Sequence, residues 1–204
     1  MAIRDYDIIS FYTKDTPYEI EANEFKKNLK EFGFSTKHIS PKPNLQNWHK
    51  NCCHKPFFID EKLKELNKPL VWIDCDARIC KDPVLFQQMV NSEYEFGVHF
   101  RDHIELLSGT LFFRPTKKVF KLLHFWKHFL KRDLMSLPGT PQYWQGLEQS
   151  ALQYLVTEKK ETFDLKGLLL PKEYVYVADM DWWSDVTTPV IAHGQASRRY
   201  KGIV

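Results

Sequence analysis

Residues 71–78 read VWIDCDAR, an apolar run that ends abruptly on two carboxylates, Asp74 and Asp76. A short strand of this kind, set between the helical patterns KPFFIDEKLKELN and VLFQQMV, belongs in an α/β sheet with helices packed on its faces. Ligands of open α/β sheets collect beyond the carboxyl ends of the strands, which is where this pair falls. Left alone, the two carboxylates repel and one is pushed toward protonation. Where the chain turns after the strand, both can converge on a hard cation, Mg²⁺ or Mn²⁺, that keeps coordination positions open for phosphate. A metal–diphosphate site is the reading that accounts for the pair.

The same alternation runs through the chain. DIISFYT (7–13) reads as a buried first strand. Thr16 as N-cap, Pro17 at the first helical position and Glu19 in a capping box then open a helix. Its Tyr18, Ala22, Phe25, Leu29 and Phe32 recur at helical spacing until Gly33 stops it. FSTKHIS (34–40) is expected as a second strand, 41–51 as a loop, 55–67 as a helix and 70–73 as a strand. Asp82-Pro83 opens a short helix, and YEFGVHF and GTLFFR read as strands joined by a polar connection, RDHIELLS. Val119, Leu122, Leu123, Trp126, Phe129 and Leu130 mark an amphipathic helix. A loop (GTPQYWQG), a helix (LEQSALQYLV), a strand (EYVYVA) and a short strand (PVIAH) complete the order. The pattern predicts one α/β domain over residues 1–204, with a mixed, mostly parallel central sheet flanked by helices.

Several functions are disfavoured. A net charge of +3 is too small to argue for nucleic acid. Cys52, Cys53, Cys75 and Cys80 do not form the pattern of a disulfide framework, so free thiols in a reducing compartment are expected. No apolar run reaches the length of a membrane span, and MAIRDYDIIS is too short in its core and too acidic for a signal peptide. A cytoplasmic location follows as the expectation. There is no G-x-G-x-x-G after the first strand, no Walker motif and no G-x-S-x-G elbow. HKNCCH (49–54) lacks a second pair at zinc-finger spacing, and HFWKH (124–128) lacks the glutamate of a zincin and shares its helix face with Lys117, Lys121 and Lys131. Of the other D-x-D pairs, Asp5-Asp7 precedes its strand, at the wrong end for a ligand site, whereas Asp179-Asp181 follows one and stays a competitor.

KPFFIDEKLKELNKPLVWIDCDARICKDPVLF resembles the core of nucleotide-sugar glycosyltransferases of the GT-A, Rossmann-like fold. There a helix with a basic residue near its start leads to a strand ending in D-x-D. LLSGTLFF resembles the small-residue segment that lines the donor sugar, and WQGLEQSALQYLV the acidic-Gln helix start beside the reacting centre, which is more often Asp-Gln. VIAHGQASRRYKG is similar to the C-terminal stretch of glycogenin-like members. The resemblance covers most of the chain, and compact, unanchored transferases of bacterial or large-virus type are the nearest in kind.

The resemblance implies roles. Asp76 binds Mn²⁺ or Mg²⁺ most directly, Asp74 shares the metal or holds the ribose, and His193 adds a nitrogen ligand. Lys201, with Arg198 or Arg199, faces the diphosphate, and Lys55 reaches the phosphate or sugar. Phe11, Tyr12 and Thr13 lie against the base of a donor expected to be UDP-linked. Ser108, Gly109 and Thr110 let the sugar approach closely, and Asp102 meets its hydroxyls. Glu148 and Gln149 face the anomeric carbon or the acceptor, a glycan hydroxyl, with retention of configuration favoured. Residues 1–100 would form the nucleotide-binding half and 101–204 the donor-sugar and acceptor half. Trp144, Tyr143, Trp182 and Trp183 are candidates for stacking on acceptor sugars. A sugar-nucleotidyltransferase would need a Gly-rich loop where FYTKDTP stands. A non-catalytic carbohydrate-binding module on the same fold is the other alternative.

Overall fold

The structure, a computed structural model, describes residues 4–131, 147–177 and 183–200. In chain order the elements are β1 (Asp7–Thr13), α1 (Tyr18–Glu31), β2 (Ile39–Lys42), α2 (Trp48–Cys52), α3 (Lys55–Leu66), β3 (Leu70–Ile73) and β4 (Ala77–Ile79). They continue with α4 (Val84–Val90), β5 (Phe96–Arg101), β6 (Glu105–Phe113), α5 (Lys117–Lys131), α6 (Leu147–Thr157) and α7 (Lys160–Phe163). The last are β7 (Gly167–Leu169), a 3-10 turn (Lys172–Tyr174), β8 (Tyr176–Val177), β9 (Ile191–His193) and α8 (Ala196–Tyr200).

The central sheet has the order β2-β1-β3-β6-β5-β7. β1 runs parallel to β2 and β3, and β5 parallel to β7; β6 alone is reversed, antiparallel to both β3 and β5. This is the mixed, mostly parallel sheet that the sequence predicts. β3 is buried along its whole length because both faces are covered. Leu70 and Trp72 pack with Phe58, Leu63, Trp126 and Leu152 on one side; Val71 and Ile73 pack with Ala22, Phe25, Phe86 and Met89 on the other. A second, three-stranded sheet, β4-β9-β8, sits beyond the end of β3.

Some boundaries differ from the expected ones. β2 begins at Ile39 rather than at 34, because Ser35 Oγ accepts from the Lys37 amide and the Ile39 amide closes on the Thr36 carbonyl, bending 35–38 into turns. Most of RDHIELLS is strand: β5 and β6 form a hairpin whose tip is Asp102 and His103, both at positive φ (49° and 59°). Among the described residues of EYVYVA, only Tyr176–Val177 is strand, since Lys172–Tyr174 coils into the 3-10 turn after Pro171. α2, β4, α7, β7 and α8, each five residues or fewer, were not expected from the sequence, and α2 falls largely where a loop was expected over 41–51.

Candidate functional site

The strand β3 delivers Asp74 to the rim of the sheet, and the Ala77 amide turns back onto the Asp74 carbonyl at 3.0 Å. That turn starts β4, which pairs antiparallel with β9 so that Ala77 lies opposite His193. The Gly194 amide then donates to the Asp76 carbonyl (3.1 Å) and the Ala196 amide to Asp76 Oδ2 (2.8 Å). A strand end, a turn and a partner strand thus bring Asp74, Asp76 and His193 together, each offering one ligand atom within 4.8 Å of the others.

The trio is held from beneath. Trp72 Nε1 donates to Asp74 Oδ1 at 2.7 Å. His193 Nε2 is 2.9 Å from Thr110 Oγ1. A Cβ at Gly109 would stand 3.1 Å from His193 Nδ1 and 3.4 Å from Asp74 Oδ2, so those two atoms flank one glycine with no side chain between them. Burial lowers the His193 pKa more than the nearby Asp76 and Asp74 carboxylates raise it, which keeps the imidazole neutral. Burial and the charge on Asp74 raise the pKa of Asp76. Two carboxylates, of which Asp76 has no cationic side-chain partner among the described residues, and a neutral imidazole with one nitrogen already hydrogen-bonded make a donor set that fits a divalent cation. Among the described residues no other group of three such side chains, HKNCCH included, converges in this way.

Next to the trio lies a buried ion-pair network. Lys55, at the start of α3 and 4% exposed, places Nζ 3.2 Å from Asp74 Oδ1 and 3.2 Å from Glu148 Oε1. It also donates to the Ser108 hydroxyl (3.0 Å) and carbonyl (3.2 Å). Burial opposes the ammonium, but Asp74 and Glu148 more than offset it, and the Lys55 pKa is raised above its ordinary value. Ser108 Oγ donates to Glu148 Oε1 (3.0 Å), while Glu148 Oε2 is buried without a hydrogen-bond partner among the described residues. Gln149 Oε1 accepts from the Ser108 amide (3.2 Å), and its Nε2 donates to Glu105 Oε1 (3.3 Å). A buried carboxylate oxygen without a partner is costly unless a ligand completes it.

These groups open on one cleft of about 280 Å³. It brings together Phe11, Tyr12, Thr13, Lys55, Asp74, Asp76, Ser108, Gly109, Glu148, Gln149 and His193, all singled out from the sequence. Phe11 is set edge-on against Phe58 and tilted on Trp72, with centroids 5.7 and 5.3 Å apart. Asp102 is placed otherwise: it is exposed at the hairpin tip and does not line the cleft, whereas the ion-paired Arg101 and Glu105 on either side of that tip do. Arg198 lines the cleft and Arg199 turns away to Glu21. Trp183 is buried in a satellite cluster with Val175 and Val186. Lys201, Tyr143, Trp144, Trp182 and Asp179-Asp181 lie outside the described residues. Sequence reasoning missed Tyr18 and Trp48, whose side chains meet at the cleft wall through a 3.1 Å bond from Trp48 Nε1 to Tyr18 OH. An aromatic residue in the loop 41–51 was the only signal for Trp48.

No protein-family model and no curated protein matches the chain by sequence. Solved structures do match. A glycosyltransferase involved in the glycosylation of the major capsid of PBCV-1 superposes with a TM-score of 0.68 at 12% identity, over 96% of both chains. The glycosyltransferase GlyE of Streptococcus pneumoniae TIGR4 matches with a TM-score of 0.55 at 11% identity, over 95% of this chain and 55% of that one. Mouse xyloside xylosyltransferase 1 matches at 0.50 and 13% identity, over 96% of this chain and 99% of that one. With these structures as its neighbours, the chain has a GT-A-like glycosyltransferase fold.

Proposed function

We propose that the protein is a metal-dependent glycosyltransferase that moves a sugar from a nucleoside-diphosphate donor, UDP-linked, to a glycan hydroxyl. One observation carries this reading: the Asp74–Asp76–His193 group and the Lys55–Glu148 network open on the same cleft, a few ångströms apart through Asp74. A divalent ion bound there, Mn²⁺ suiting the imidazole better than Mg²⁺, would supply Lewis-acid neutralisation of the departing diphosphate.

The chain's own residues do the rest. Phe11, Tyr12 and Thr13 at the end of β1 hold the base, with Trp48 and Tyr18 closing that wall. Gly109 leaves room for the His193 ring beside Asp74, since a Cβ there would come within 2.8 Å of that ring. Arg198, which lines the cleft, adds positive charge beside the diphosphate. Glu148, ion-paired with Lys55, faces the sugar with its other carboxylate oxygen and stabilises positive charge developing at the anomeric carbon. Its Oε1 is already engaged by Lys55 and Ser108, which favours charge stabilisation with retention over general-base catalysis. Arg101 and Glu105, with Gln149, order the sugar-facing wall. The nucleotide half, 1–100, and the sugar half, 101–204, meet along the cleft, with His193 and Arg198 crossing back to the nucleotide side.

The test is release of the nucleoside diphosphate from a panel of nucleotide sugars with Mn²⁺, and transfer to added glycans. Wild type should turn over at least one donor, and both Asp76→Asn and Glu148→Gln should lose about 100-fold or more. Undiminished turnover by both variants would reject the assignment.

A further inference from the structure

The helix α8 is pinned at its far end by a residue that stays out of the cleft. Glu21, on α1, is only 8% exposed. One of its carboxylate oxygens accepts from Arg199 Nη2 at 2.8 Å, the other from Arg78 Nη2 of β4 at 3.1 Å. Tyr200 OH reaches the Arg199-bound oxygen at 3.5 Å. Three residues earlier on the same face of α1, Tyr18 packs edge-on against Tyr200, with centroids 5.7 Å apart. At the near end α8 hangs from Asp76, through the Ala196 and Gly194 amides. Between the two anchors, Gln195 and Arg198 face the cleft.

A five-residue helix does not hold itself together, because its nucleation cost outweighs one turn of backbone bonds. Apart from the buried Ala196, α8 is partly or fully exposed at the side chains described, so its seat is mainly polar, with the Tyr18–Tyr200 contact beside the ion pair. Glu21 is the only carboxylate among the described residues that pairs with both β4 and α8. Without its charge, Arg78 and Arg199 face each other as like charges and α8 loses its far anchor.

We propose that Glu21 is a positioning residue: it seats α8 so that Arg198 meets the donor diphosphate, and so sets donor affinity without touching the donor. The inference rests on the glycosyltransferase reading above. An affinity that needs a seated helix falls in proportion to the seated fraction. Reducing that fraction to about a tenth weakens the diphosphate ligand about tenfold and leaves a ligand without phosphates unaffected.

The experiment compares UDP with uridine, each with Mn²⁺, on wild type, Glu21→Gln, Arg199→Gln and the double variant. Arg199 has a side chain 53% exposed, so its replacement leaves the core alone. The expected result is UDP binding about tenfold weaker in each single variant and no weaker in the double, with uridine binding and the melting temperature little changed. UDP affinity equal to wild type in both single variants overturns the positioning role, as does a parallel loss of uridine and UDP binding, which would make Glu21 a general structural residue. Wild type that fails to bind UDP with Mn²⁺ overturns the glycosyltransferase reading, and the inference falls with it.

Discussion

The Oγ1 of the fully buried Thr110 lies 2.9 Å from His193 Nε2, which leaves Nδ1 as the imidazole nitrogen that faces Asp74 across Gly109. A ligating histidine needs its second nitrogen held in this way, and loss of such a partner costs roughly 10–100-fold in metal affinity. Thr110→Val keeps the shape of a fully buried side chain and removes the hydroxyl. Mn²⁺ affinity, followed by calorimetry, should fall within that range while the fold is retained. Unchanged affinity would mean that His193 is not a ligand.

Gly109 has no room for a side chain: a Cβ would meet His193 Cε1 at 2.8 Å and Nδ1 at 3.1 Å. Gly109→Ala should therefore displace the imidazole at a stability cost of about 1–3 kcal/mol. Metal-dependent nucleotide binding should be lost well before unfolding, which a melting curve beside a UDP titration would show.

Lys55 neutralises Asp74 and Glu148 together. Lys55→Met strands two carboxylates around a buried position, and breaking a buried pair in this way costs about 3–5 kcal/mol. For a chain of this size each kcal/mol corresponds to a drop of roughly 2–4 °C in melting temperature. The double variant Lys55→Met/Glu148→Gln should recover much of the stability and none of the transfer. A double variant as unstable as the single would show that Glu148 is not the partner that matters.

Three histidines outside the metal trio, His38, His54 and His99, have pKa values lowered by burial. A histidine lowered in the folded state stays neutral there while the unfolded chain takes up a proton near 6.5. Their contribution to stability is therefore present above that value and lost as pH falls through the folded-state values. Melting temperature should decline from pH 7.5 to 5.5, and His99→Gln should flatten the decline. A flat or rising profile would contradict the assignment of buried neutral imidazoles.

What the sequence discloses depends on how each element is buried. β3 is covered on both faces, so it shows as an unbroken apolar run, and the carboxylates that follow stand out against it. β6 is legible only in its second half, within GTLFFR; its first half, Glu105–Ser108, reads as a polar connection because Glu105 and Ser108 flank the two leucines. β4 and α8 are too short for any periodicity, so His193 could be reached only through the likeness of VIAHGQ to a known C-terminal pattern. The tie from Glu21 to Arg199 spans 178 positions and leaves no local trace. Trp48 sits in a helix of five residues, whose start is fixed by Asn47 Oδ1 accepting from the Lys50 amide, a cap that reads as loop composition.

The most direct measurement is calorimetric titration of UDP into the protein with Mn²⁺ and again with EDTA, on wild type and on Asp76→Asn. The amide variant keeps an oxygen to accept from the Ala196 amide and removes only the charge. Binding that appears with Mn²⁺, disappears with EDTA and is lost in Asp76→Asn is the predicted result. Binding that ignores both the chelator and the substitution, or no binding of UDP under either condition, would contradict a metal–diphosphate site at Asp74, Asp76 and His193.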